Sequence, residues 1–139
     1  MQAKKAATNK EYELRINRVV DYVEAHYDEE LTLESLAGIA PFSPFHFHRI
    51  FTAIMGETLK AYIKRIRLEK SVGRLIHDLD VPLTTVALEC GFTSSSVFAR
   101  AFKAHFGVSA SEYREGFSDQ VNEQMADDAR HLRARLDRE

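Results

Sequence analysis

Two arginines stand at the same place in two phrases of the same rhythm: Arg49 in "SPFHFHRIF" (Ser43 to Phe51) and Arg100 in "SSSVFARAF" (Ser94 to Phe102). A guanidinium presents its N–H donors as a planar fork, which matches a carboxylate, a phosphate or the O6/N7 edge of guanine through two parallel hydrogen bonds. An ion pair, a phosphate contact and a base contact are therefore all open to this pair. Other chemistries are not. His46 and His48 are two apart on an expected helix and point in different directions, which argues against a zinc pair. Cys90 is the only cysteine, so an internal disulfide and a cysteine-cluster metal site are excluded, and a small buried thiol is the expectation. The sequence has no Gly-rich phosphate loop, nucleophile elbow or Asp/Glu/His cluster at a useful helical spacing. It is therefore read as a non-enzyme without metal or cofactor.

The elements that must hold these arginines are helical. Apolar residues recur at three- and four-residue spacing, and no useful stretch alternates as a strand does. A first helix is expected from about Lys10 to Tyr27, with Tyr12, Ile16, Val19, Val20, Val23 and Tyr27 along one face, after a flexible N-terminus over 1–10. Thr32 suits the N-cap of a short helix, and Ser43 caps the next one with Pro44 at its first position and Gly56 just past its end. A long helix follows from about Thr58 to Asp78. "SASE", Ser109 to Glu112, has the form of a capping box opening a short terminal helix with Tyr113 and Phe117. Beyond it Val121, Met125, Ala129, Leu132 and Leu136 form an apolar stripe that needs a partner surface.

The chain repeats itself. A shift of fifty matches Leu33 to Leu83, Ala37 to Ala87 and Phe42 to Phe92; a shift of fifty-one matches Ser43 to Ser94, Phe47 to Phe98, Arg49 to Arg100, Phe51 to Phe102, Ala53 to Ala104, Gly56 to Gly107 and Tyr62 to Tyr113. These identities fall on core and turn sites and mark a duplicated unit of short helix, tight turn and longer helix. Charge is also sorted. Residues 43–114 hold ten Lys/Arg against six Asp/Glu, while the flanking arms each carry an excess of three acids, so the overall charge of −2 hides a basic middle. Such a stretch can attract phosphate locally, because screening confines each charge to about 8 Å at physiological salt.

Short helix, sharp turn and second helix is the helix-turn-helix layout, whose second helix enters the DNA major groove. Helical geometry turns Phe47, Ile50, Phe51 and Ile54, and in the second unit Phe98, Ala101, Phe102 and His105, toward the core. Phe45, His48, Arg49 and Thr52, and Ser96, Arg100 and Lys103, face outward. Phe45 is read either as packing beneath the turn or as touching a thymine methyl group. The long helix spans about 30 Å, close to one turn of DNA, which would let the two reading helices enter successive grooves. Among the cations on or near it, Lys60, Lys64, Arg65, Arg67, Lys70 and Arg74, those near its start are placed to reach phosphates.

"LTLESLAGIAPFSPFHFHRIFTAIMGETLKAYI" and, more strongly, "ALECGFTSSSVFARAFKAHFGVSASEYR" resemble the two halves of the DNA-binding domain of AraC/XylS-type transcription regulators, over about Tyr12 to Phe117. The resemblance implies an all-α fold of about seven helices, with two helix-turn-helix subdomains (11–57 and 79–117), a linker helix (58–78) and a helical tail (118–139). It implies base reading by Phe45, His48 and Arg49 and by Ser95, Ser96, Val97 and Arg100, and phosphate contacts around Lys64 and the Ser109 to Ser111 cap. Thr52, Lys60 and Lys103 join the phosphate-facing set. Phe45 and the serines replace the Trp or Gln of other members, so the second unit would discriminate less through direct contacts. The implied partners are double-stranded promoter DNA and RNA polymerase; separately, no apolar run is long enough to span a membrane and "MQAKKAATNK" lacks the pattern of a secretory signal, so the expected location is the cytoplasm. "FSPFHFHRIF" is similar to a subgroup in which a gyrase-inhibitor-like effector domain follows, and 118–139 would then be a linker, or a contact to a second subunit. The competing reading is a helical protein-interaction module docking through that stripe.

Overall fold

The computed structural model describes residues 2–138, with side chains placed over 9–136. These residues form seven helices and no strand: α1 (Gln2–His26), α2 (Leu33–Ile39), α3 (Pro44–Met55), α4 (Leu59–His77), α5 (Leu83–Glu89), α6 (Ser95–Phe106) and α7 (Ala110–Arg138). They pack into two units. The first comprises the chain up to Lys70 together with Glu89–Gly91; the second comprises Ser71–Leu88 and the chain from Phe92 onward. The division falls inside α4, so the linker helix gives its first three turns to one core and its last turns to the other.

In the first unit, Ile16, Val19 and Val23 of α1 meet Leu36 and Ala37 of α2, Phe47 and Phe51 of α3, and Tyr62, Ile63 and Ile66 of α4. The second core holds Leu75, Val86, Ala87, Phe92, Phe98, Ala101 and Phe102. The duplication read from the sequence is geometric as well. Ring centroids are 5.7 Å apart for Phe47 and Phe51 and 5.5 Å for Phe51 and Tyr62, against 5.7 Å for Phe98 and Phe102 and 6.0 Å for Phe102 and Tyr113. Burial pushes the Tyr62 phenol up to about 12, with Glu24 adding to the shift, so it stays protonated inside this core.

Three expectations are corrected. Helix α1 begins at Gln2, not near Lys10 after a flexible arm, because "QAKKAA" is made of strong helix formers that carry no apolar period to read. The terminal helix does not stop near Phe117: α7 continues unbroken to Arg138, carrying Gly116 at a modest propensity cost. His105 and Ile54, expected to face the core, are exposed: the His105 ring lies edge-on to Phe106, itself 37% exposed, and in the last turn of α3 it is Met55 that packs against the core.

Candidate nucleic-acid interface

The two outward faces are set by their caps. The Ser43 hydroxyl accepts from the His46 N–H at 3.3 Å and the Ser94 hydroxyl from the Val97 N–H at 3.2 Å, which fixes the first turns of α3 and α6. Both turns close through the same bond, Phe42 N–H to Ala37 O and Phe92 N–H to Ala87 O, each 3.0 Å. The extra residue of the second unit, Thr93, falls between that bond and the cap, so neither is disturbed. At the far ends Gly56 (φ 75°) and Gly107 (φ 80°) adopt the left-handed conformation and donate to Thr52 O and Lys103 O, both at 2.9 Å. Two helices of twelve residues thus stand on equivalent seats, and Arg49 and Arg100 emerge at equivalent points.

On α3, Phe45 is 73% exposed, which removes the reading in which it packs beneath the turn. Its ring lies under the Arg49 guanidinium, with Cζ 5.8 Å from the centroid, a cation–π contact that steadies the arginine without neutralising it. His48 is exposed beside them. Thr52 is only half-exposed and donates its hydroxyl hydrogen to His48 O at 2.8 Å, leaving lone pairs outward; in this rotamer it offers a phosphate no donor. The equivalent of Phe45 on α6 is Ser96, so Arg100 has no aromatic rest. Arg100 and Lys103 are exposed and make no ion pair among the described residues, while Val97 is 40% exposed and Ser95 half-buried.

Ser95 and Ser96 meet the other serine pair. A cleft of about 330 Å³ in the second unit is lined by Thr84, Ser95, Ser96, Ser109 and Ser111 around Phe98. The Ser109 hydroxyl accepts from Glu112 N–H at 3.1 Å and the Glu112 carboxylate accepts from Ser109 N–H at 3.4 Å, which is the expected capping box. The cleft therefore gathers hydroxyls at the first turns of α6 and α7 over an apolar floor of Leu83, Phe98, Ala99 and Ala110.

The linker cations divide into two sorts. Lys60 and Lys64, one helical turn apart, are exposed and make no ion pair among the described residues. Arg65 is held: Glu57 accepts from its Nε at 3.0 Å and from its Nη2 at 2.7 Å, and Glu69 accepts from Nη1 at 3.0 Å, hydrogen bonds that raise its pKa further. Arg67 donates to the carbonyls of Tyr27 and Glu29, both at 2.8 Å, and burial lowers its pKa. Lys70 pairs with Glu24 at 3.1 Å. In the second unit Arg114 reaches the carbonyls of Leu75 and Val81. Sequence reasoning also missed an aromatic group in which the Tyr12 and Phe42 rings lie 5.1 Å apart, Phe42 and His46 5.1 Å apart, and Arg15 sits over Phe42 at 5.0 Å. Nothing in the local pattern flags it, because its members come from elements about thirty residues apart.

Comparison with known proteins places this geometry. A helix-turn-helix domain model matches residues 36–116. The chain is similar to the HTH-type transcriptional regulator YbfP of Bacillus subtilis, 31% identical over 103 residues, which is 74% of this chain but 35% of YbfP, so the chain spans about a third of that relative's length. Its fold is similar to the C-terminal domain of AraT, a response regulator from Geobacillus stearothermophilus (TM-score 0.68, 29% identity, 73% of this chain and 84% of that one). It is also similar to the DNA-binding domain of the transcriptional factor AdpA, solved with a target DNA (TM-score 0.71, 26% identity, 76% and 94% covered). With the matched domain spanning both helix-turn-helix units and their linker, the chain belongs to the AraC-type helix-turn-helix family.

Proposed function

We propose that the chain acts in the cytoplasm as a sequence-specific transcription regulator, with α3 and α6 each entering a major groove of double-stranded DNA and with no catalytic step. The observation that carries this is the matched pair of seated helices whose outward arginines, Arg49 and Arg100, meet no carboxylate among the described residues. An ion-pair role, open on sequence grounds, has no partner among the described residues. Base reading is assigned to Phe45, His48 and Arg49 and to Ser95, Ser96, Val97 and Arg100. Phosphate contacts are assigned to Lys60, Lys64 and Lys103 and to the serine cleft around Ser109 and Ser111, while Thr52 takes part only with its hydroxyl turned. RNA polymerase is the expected protein partner at a promoter. No helix among the described residues is long and apolar enough to cross a membrane.

A binding selection from random duplex DNA at fixed salt, followed by footprinting on the recovered site, tests the reading. Two protected major-groove patches about one turn apart are expected. A single patch would remove one reading helix, and no enriched sequence would leave the protein-interaction reading in its place. Arg100→Ala is expected to cost about 1–3 kcal/mol of binding and to relax preference at one position of the site; a loss uniform across sequences would move Arg100 to a phosphate.

A further inference from the structure

Phe45, at 73% exposure, is the barest large apolar side chain among the described residues, and it stands on the outward face of α3. On an ordinary surface one such residue needs no explanation. Here it occupies a place that a hydrogen-bonding group could fill, as Ser96 does at the equivalent position of α6. A phenyl ring offers no donor or acceptor, so it cannot distinguish base edges by their hydrogen-bonding pattern. One feature of the major groove remains open to it: the apolar methyl group on C5 of a pyrimidine.

Arg49 fixes where that ring is presented. Its Cζ overlies the ring at 5.8 Å from the centroid, and no carboxylate among the described residues draws the guanidinium away. A guanidinium bonded to guanine O6 and N7 lies in the plane of that base. The ring is then out of that plane, and with bases about 3.4 Å apart along a strand it stands before a neighbouring pair. The two residues are four apart on a helix whose first turn is fixed by Pro44 and the Ser43 cap, so they present one composite surface.

We propose that Phe45 and Arg49 together recognise a C5-methylated pyrimidine beside a guanine, and that the methyl group counts equally on thymine and on 5-methylcytosine. This rests on the DNA-reading proposal and names what the first unit reads. Thymine and 5-methylcytosine differ at C4, where one carries an oxygen and the other an amine, and a phenyl ring bonds to neither. Their methyl groups are the same. A site with cytosine at this position is therefore bound more tightly once that cytosine is methylated, which makes the first unit responsive to a covalent mark on DNA. The second unit, with Ser96 in place of the ring, has no such surface next to Arg100.

The test uses the intact chain and the duplex recovered by selection. Arg49→Ala first identifies the guanine, as the position whose preference it relaxes. Each pyrimidine neighbouring that guanine is then made as thymine, deoxyuridine, cytosine or 5-methylcytosine, opposite its usual partner base, and anisotropy at one salt concentration gives the affinities. At one such pyrimidine, thymine over deoxyuridine and 5-methylcytosine over cytosine are each expected to bind about fourfold tighter, the worth of one buried methyl group. In Phe45→Ser, an exposed position given the residue of the other unit, both preferences are expected to disappear with far-UV helicity unchanged. Equal affinities within each pair in the intact chain, or preferences that persist in Phe45→Ser, would overturn the proposal and leave DNA reading in place. So would a methyl effect on uracil without one on cytosine, or an Arg49→Ala chain that keeps every base preference. Recovery of no specific site would remove both readings.

Discussion

Replacing Gly91 with alanine is expected to cost about 3–5 kcal/mol of folding stability, the largest effect of an alanine at any of the six glycines. Two causes add. Gly91 has φ +92°, where an L side chain is strained by roughly 1–2 kcal/mol. A Cβ there would also stand 2.6 Å from Tyr27 O and 2.7 Å from Arg67 Nε, far inside contact distance. Neither neighbour is free to retreat, since Arg67 is itself bonded to Tyr27 O and Glu29 O at 2.8 Å. Gly107 supplies the control: its φ of +80° carries the same backbone strain but nothing lies within 4 Å of an added Cβ. Thermal unfolding of Gly107→Ala should thus show a loss of only about 1–2 kcal/mol. Equal losses for the two variants would mean that the close approach at Gly91 is absent in solution.

Salt is expected to act on binding through the lysines and not through the linker arginines. Each phosphate neutralised contributes about −0.9 to the slope of log affinity against log salt. Contacts from Lys60, Lys64 and Lys103 give a slope of roughly −2.7, or about a 40-fold loss of affinity between 50 and 200 mM salt. Lys60→Gln with Lys64→Gln should flatten that slope by about 1.8, whereas Arg65→Gln should leave it unchanged, because Glu57 and Glu69 already hold that guanidinium. Fluorescence anisotropy on one duplex over a salt series reads all three proteins. A flattening of about 0.9 by Arg65→Gln, the share of one phosphate contact, would show that its carboxylates release it to the DNA.

The parts of this molecule that were legible in sequence are those written by local rules. The Ser43 and Ser94 caps, the Gly56 and Gly107 ends and the "SASE" box each satisfy backbone groups within a few residues, so their signals survive without tertiary context. Repetition strengthened them, because Phe47 and Phe51 recur as Phe98 and Phe102. What was not legible depends on chain folded back from far away. Arg65, Arg67 and Lys70 look alike along the helix, yet Arg67 is bound by carbonyls at Tyr27 and Glu29, some forty residues earlier, and a carbonyl acceptor has no signature in a residue name. Phe45 was legible as outward-facing from helical geometry, whereas the placement of the Arg49 guanidinium over its ring was not. The start of α1 escaped because alanine and lysine favour a helix without marking a face.

The unbroken run of α7 from the serine cleft at Ser109 to the last arginines makes it a phase-keeping shaft. Each residue added or removed between Phe117 and Val121 would advance the stripe by about 1.5 Å and turn it by about 100°. Inserting seven residues there would push the stripe out by about 10 Å with its azimuth changed by only roughly 20°, while inserting five would swing it through about 140°. Whatever surface the stripe engages is therefore indexed to the recognition helix α6 by residue count, and length variants of this one helix form a dial on which angle and reach can be set separately.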